Sequence, residues 1–152
     1  MKVLFATDGT KYSECALATI GKFNFTAGDE LKIISVLDMA LPSTVDIYAG
    51  YLPSTVEIEQ SFKENAERIV TETKEKIKSF FPGSDFILET EILIGSPENK
   101  IVEAANQMKA DLVIVGSHGY NRLERILLGS VSDSVVHHAP CSVMVIRSVK
   151  DQ

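Results

Sequence analysis

Cysteine is scarce in this 152-residue chain: Cys15 and Cys141 lie far apart and form no CxxC pair. They read as free thiols in a reducing compartment, not as a disulfide framework. No apolar run approaches the roughly 20 residues that a membrane-spanning helix needs. No signal peptide is visible, because Met1-Lys2 leads into a short apolar run that Asp8 ends. Positive charge is in deficit, with 15 Lys and Arg against 21 Asp and Glu, a net charge of −6 and a pI near 5.1. Such a balance argues against non-specific nucleic-acid binding and against an anionic membrane surface. Catalytic signatures are missing too. There are no paired carboxylates in one motif, no Ser–His–Asp ordering and no G-x-x-x-x-G-K-[ST]. Ser117-His118-Gly119-Tyr120 lacks the first histidine of the nucleotidyltransferase HxGH signature and follows the fourth strand instead of the first. These absences leave a cytoplasmic protein without a recognisable catalytic centre as the expectation.

What is present has ordinary globular composition, 45% hydrophobic and 24% charged. One domain spanning residues 1–152 is expected, long enough to fold without disulfide or metal. Short β-branched runs mark buried strands at Val3–Ala6, Leu31–Leu37, Leu112–Val115 and Ser142–Ile146, with a less regular fifth at Phe86–Ile94. Helical patterns lie between them. Tyr12–Phe25 carries Cys15, Leu17, Ala18 and Ile20. A capping box at Ser54-x-x-Glu57 precedes Phe62, Ala66, Ile69, Thr73, Ile77 and Phe80, up to a stop at Pro82-Gly83. Ser96-Pro97-Glu98 supplies an N-cap serine, a proline at the first helical position and a first-turn acid, ahead of a buried face at Ile101, Ala105 and Met108. A last helix runs from Ser130 to about His138, before Pro140. Alternating strands and helices imply an α/β fold with a parallel sheet and right-handed crossovers. The strand order stays open at this level.

The link from Asp38 to Pro53 is long and contains a repeat: Leu41-Pro-Ser-Thr-Val-Asp-Ile47 returns as Leu52-Pro-Ser-Thr-Val-Glu-Ile58. Two readings stand side by side, a tolerated duplication in a surface loop and a lid near the strand ends.

The informative segment is Gly116-Ser-His-Gly119, nine further residues, then Gly129-Ser130, between a buried strand and a helix. Ligands of open α/β sheets bind beyond the carboxyl ends of the strands. Glycine at 116 and 119 permits positive φ and close approach of a ligand to the backbone. The helix after Gly129 offers free N–H groups to an anion. Ser130 has two competing roles, as a hydroxyl donor to phosphate or as a helix cap with Asp133 as its capping-box acid. Asp8 reads as a turn residue in Thr-Asp-Gly-Thr. Loop residue His118 is either solvated or in contact with phosphate. Arg122 and Arg125 are either phosphate neutralisers or plain surface residues. His137 and His138 are neighbours at a helix end and do not converge as metal ligands would.

Gly-x2-Gly-x9-Gly-Ser over positions 116 to 130, Asp8 closing the first strand and Pro-Cys-Ser-Val opening the last resemble the universal stress protein family, and within it the ATP-binding branch. The resemblance covers essentially the whole chain. It implies a Rossmann-like five-stranded sheet ordered 3-2-1-4-5, with ATP between the first and fourth strands. By the same resemblance Asp8 meets the ribose or adenine, with Ala6 and Thr7 along that wall. Val36 meets adenine through its backbone and Val115 packs nearby. Gly116, Gly119, Gly129, Ser130, Val131 and Ser132 hold the phosphates. Mg2+ or Mn2+ accompanies the nucleotide without dedicated protein ligands, and a homodimer forms through the last strand, 141–147. The implied function is an ATP-binding stress or regulatory module with no catalytic residue and at most slow hydrolysis. The alternatives are a partner-activated ATPase and a nucleotide-free interaction protein of the family's other branch, which lacks the glycine spacing.

Overall fold

A computed structural model describes residues 1–38, 55–117 and 128–147. In these, strands and helices alternate: β1 (Lys2–Ala6), α1 (Lys11–Ile20), β2 (Glu30–Leu37), α2 (Thr55–Phe80), β3 (Ile87–Ile94), α3 (Pro97–Met108), β4 (Leu112–Gly116), α4 (Ser130–His138) and β5 (Ser142–Ile146). All strand pairs are parallel, in the order β3-β2-β1-β4-β5. That is the Rossmann-like order the resemblance implied. Among the described residues no helix is long and apolar enough to cross a membrane. The Leu41–Ile47 copy of the repeat, and the Ser54 half of the capping box, lie outside the described residues.

Side-chain alternation along the strands explains the two layers of helices. Val3 and Phe5 of β1, with Leu31 and Ile33 of β2, pack against Ala16, Leu17 and Ile20 of α1 and Val70 and Ile77 of α2. Leu4, Ile34, Val113 and Val115 point to the opposite face, against Ile101, Ala104 and Ala105 of α3 and Val135 of α4. With helices on both faces, Val3, Leu4 and Phe5 are completely buried. This is why β1 is a continuous apolar run and not an alternating one.

Two helices differ from the sequence expectation. The buried face of α1 is Ser13, Ala16, Leu17 and Ile20, a clean i, i+3, i+4, i+7 stripe, whereas Ala18 is exposed and Cys15 only partly covered. The helix also stops at Ile20, not near Phe25. Past its end, Phe25 stacks on Phe86 at 4.8 Å and meets Phe81 edge-on at 5.4 Å. Burial of an aromatic cluster outweighs another helical turn there. On α2, Ala66, Ile69, Thr73 and Ile77 are buried as the periodicity predicts, but Phe62 and Phe80 at the ends of the stripe are 48% and 42% exposed.

The amino ends of the strands are tied by charge. One carboxylate oxygen of Asp29 accepts from the Met1 ammonium and the other from the Thr26 N–H and hydroxyl. Asp111 accepts from the Lys2 N–H at 2.6 Å. The Met1 ammonium, then the Thr26 N–H and hydroxyl, lower the Asp29 pKa from 3.8 to about 2. At the opposite end, a Cβ on Gly116 would lie 3.0 Å from the Tyr12 carbonyl carbon and 3.2 Å from the Ser13 nitrogen. Glycine lets the end of β4 sit against the start of α1.

Two outcomes follow from these contacts. Because Asp29 has a depressed folded-state pKa, its stabilisation is fully present above the unfolded value of 3.8 and is lost as pH falls towards 2. Urea midpoints measured from pH 5 to 2 fall less steeply for Asp29→Asn than for the parent. Gly116→Ala destabilises by about 1–3 kcal/mol through overpacking against α1, read as a lowered urea midpoint with an unchanged m-value.

Candidate functional site

A cavity of about 690 Å3 opens at the carboxyl ends of the central strands. That volume lies in the range of small-molecule sites. Its floor is Ala6 at the end of β1 with Thr7 and Asp8 after it, Ile34 to Leu37 of β2 with Asp38 after it, and Val115 and Gly116 of β4. On one side of the sheet α2 contributes Phe62, Asn65, Ala66 and Ile69. On the other stand Pro97, Glu98 and Ile101 of α3 and Gly129 to Ser132 at the start of α4. Ten of the eleven residues singled out from the sequence therefore line one cavity. Gly119, with His118, Arg122 and Arg125, lies outside the described residues.

The start of α4 is fixed to the sheet. Ser117 donates its N–H to the Ile146 carbonyl at 2.8 Å, and Gly129 donates to the Ser117 carbonyl at 2.8 Å. The buried Ser132 hydroxyl donates to the Gly116 carbonyl at 2.7 Å. Its proton is thus committed to the fold, which narrows the phosphate role given to it from sequence to its backbone N–H. The first bond of α4 runs from the Asp133 N–H to the Gly129 carbonyl at 2.9 Å. The N–H groups of Ser130, Val131 and Ser132 precede it and have no partner within the helix. All three residues line the cavity.

Two sequence readings are corrected here. The N-cap of α4 is Gly129, at φ −71° and ψ 156°, so Ser130 is the first helical residue and forms no capping box with Asp133. The extended Gly129 backbone and the Asp133 N–H bonded to its carbonyl place the helix boundary at Gly129. Gly116 does not adopt positive φ either. Its need for glycine comes from contact with α1, not from the approach of a ligand.

Asp8 serves the turn and the cavity together. Its Oδ1 accepts from the Thr10 N–H at 3.0 Å and the Thr10 hydroxyl at 2.7 Å, while the residue lines the pocket. The following Gly9 has φ +73°, and a Cβ there would lie 2.9 Å from the Ile69 side chain. Thr7 is buried and donates its N–H to the Ile34 carbonyl at 2.9 Å. Together these contacts hold the β1 turn against β2 and α2.

Sequence reasoning did not assign α2 or α3 to the site. Phe62, Ala66 and Ile69 were legible only as a core stripe, and Glu98 only as a first-turn acid. Ser96 is the N-cap of α3 as expected, with Pro97 and Glu98 in the first turn, yet it makes no side-chain capping bond. Its buried hydroxyl has no hydrogen-bond partner of good geometry. It lies close enough to Glu98 to be the main influence holding that carboxyl below its usual range, with the Glu98 backbone N–H adding to it.

Charge in the cavity is unevenly distributed. Asp8, Asp38 and Glu98 stand at the ends of β1, β2 and β3, whereas the unused N–H groups stand at β4. Among the described residues no lysine or arginine lines it, and no cluster of three His, Cys, Asp or Glu side chains is arranged to hold a metal ion.

Comparison with known proteins agrees with this architecture. A universal stress protein of Methanocaldococcus jannaschii is 30% identical over 152 residues, covering 96% of this chain and 94% of the relative. The solved structure of that archaeal protein superposes with a TM-score of 0.80 at 26% identity, covering 99% of this chain and 97% of the other. A putative universal stress protein of Staphylococcus aureus is 32% identical over 153 residues, covering 96% and 83%. An Arabidopsis thaliana protein of the family, solved with AMP bound, shares the fold with a TM-score of 0.66 at 23% identity, covering 99% and 94%. The model of the universal stress protein family matches residues 1–147, and the chain belongs to that family.

Proposed function

We propose that this chain is a nucleotide-binding regulatory module whose ligand is ATP. The observation that carries this reading is the start of α4, where three residues whose N–H groups have no intrahelical partner line a cavity of about 690 Å3. Backbone N–H groups at a helix start, with the positive end of the helix dipole, suit a phosphate group. The carboxylates at the other end of the cavity disfavour phosphate there, so the ligand is oriented with its phosphates on α4 and its nucleoside over β1 and β2. AMP in the Arabidopsis relative fits the same class of ligand.

A triphosphate in a cavity with carboxylates and no described cation needs a counter-ion. Mg2+ or Mn2+ carried on the phosphates supplies it. Hydrolysis needs an oriented water and concentrated positive charge on the γ-phosphate. Asp133, at the same helix end, has a 60% exposed side chain and faces His137 at 3.8 Å. The arrangement suits occupancy more than turnover.

The chain also forms a homodimer through β5 in this reading. β5 is an edge strand, and its Val143, Met144, Val145 and Ile146 are only partly covered. An apolar edge of this kind favours pairing with a second copy.

Two measurements test these statements. Ser130→Pro removes one of the three N–H groups at the first helical position, where proline is well tolerated. Gly129 already has the extended backbone that a following proline requires. Calorimetry gives a loss of ATP affinity of about tenfold or more for Ser130→Pro, against a small change for Ser130→Ala, with thermal stability retained in both. Equal affinity in all three proteins removes the phosphate assignment. Light scattering of the parent gives twice 16.7 kDa, and Val145→Lys shifts it towards monomer. A parent that stays monomeric at high micromolar concentration removes the dimer.

A further inference from the structure

Glu98 lines the cavity, and its place in the fold gives it a task that helix formation alone does not require. Helix α3 starts directly after β3, whose end is tied to β2 by the Gly95 N–H bonded to the Leu37 carbonyl at 2.9 Å. Helix α4 starts over β4, held by the Ser132–Gly116 bond. Between β3 and β4 lie β2 and β1, so the ends of these two strands are three strand spacings, about 14 Å, apart. A nucleotide with its phosphates on α4 therefore reaches Glu98 with the end farthest from the phosphates, the base.

Resting on the nucleotide reading above, we propose that Glu98 reads the base: its carboxylate accepts a hydrogen bond from an exocyclic amino group of the bound nucleobase. The side chain is well placed to discriminate. It stands in the first turn of α3, behind Pro97 and ahead of the buried Ile101, on a helix packed against the sheet. Lys100, the nearest lysine along the helix, is engaged by Glu103 at 2.7 Å, and among the described residues Glu98 makes no ion pair. Held in its ionised form by the Ser96 hydroxyl and its own backbone N–H, it is an acceptor without a proton to donate. An acceptor facing the six-position of a purine favours an amino group there and gains nothing from a bare C–H.

The test is a cycle of protein and ligand changes, with ATP and the triphosphate of purine riboside, which lacks the six-amino group, titrated calorimetrically into the parent and Glu98→Ala. Alanine is a good helix former, so the variant keeps its fold, checked by circular dichroism. The parent binds ATP about tenfold or more tightly than purine riboside triphosphate, and Glu98→Ala binds both alike. Equal binding of the two ligands by the parent overturns the role of Glu98 and leaves ATP binding standing. The 2′-deoxy and 3′-deoxy forms of ATP form a second arm. If removing a sugar hydroxyl weakens binding in the parent but not in Glu98→Ala, the carboxylate holds the ribose and the base assignment is overturned. A parent that binds neither triphosphate removes the nucleotide reading itself, and this inference with it.

Discussion

The hydrogen bond from the Ser132 hydroxyl to the Gly116 carbonyl fixes where α4 begins. Two backbone bonds work with it, from Ser117 to Ile146 and from Gly129 to Ser117, stitching β5, the residue after β4 and the helix start into one unit. Without that unit the N–H groups of Ser130 to Ser132 would have no fixed direction. With it, the residues that carry them are held at the cavity wall by a buried side chain and the sheet itself. The geometry leaves no room for a larger residue at 116, because α1 packs against the same backbone. Helix α4 and the helix that begins after Asp8 are therefore positioned by one short stretch of β4.

Stability and recognition are segregated along the strand direction. At the amino ends, Met1, Asp29, Lys2 and Asp111 make short charge-assisted contacts, and the Phe25–Phe81–Phe86 cluster closes the space beneath α1 and α2. At the carboxyl ends the residues that line the cavity include three whose helix N–H groups have no intrahelical partner, Ser130, Val131 and Ser132. Polar groups left in this way are costly in a core, and at an open cavity they are available to a ligand. The same parallel topology produces both ends, since every strand points its carboxyl end to one side.

Polarity within the cavity is what gives a ligand its direction. Each helix that starts at this end presents a positive dipole terminus. Asp8 offsets that of α1 through its bonds to Thr10, and Glu98 offsets that of α3 from its first turn. The corresponding acid of α4, Asp133, has a 60% exposed side chain and does not line the cavity. Of the starts of α1, α3 and α4, only that of α4 has no carboxylate-bearing residue lining the cavity, and the two carboxylate-bearing ends suit hydrogen-bond donors.

Ala6, Thr7, Asp8, Val36 and Val115 were assigned to the site through the resemblance, whereas the sequence by itself determined the element order, the parallel sheet and the place of Gly116 at a strand end. Local chemistry carries those features: β-branched runs such as Val3–Ala6, the Thr-Asp-Gly-Thr turn, and the glycine spacing from 116 to 130. The strand order was implied by resemblance, and only the assembled sheet displays it, because parallel pairing joins residues far apart in the chain. Tertiary structure alone decided that α2 and the start of α3 wall the cavity. Phe62, Asn65 and Glu98 carry no local mark of that role, since a helical stripe reads as core and a first-turn acid reads as dipole compensation. It also decided why Gly116 is glycine and why Ser130 is not a cap. The first depends on the Tyr12 backbone that lies opposite and the second on the extended Gly129 backbone where the helix begins, and a linear chain specifies neither.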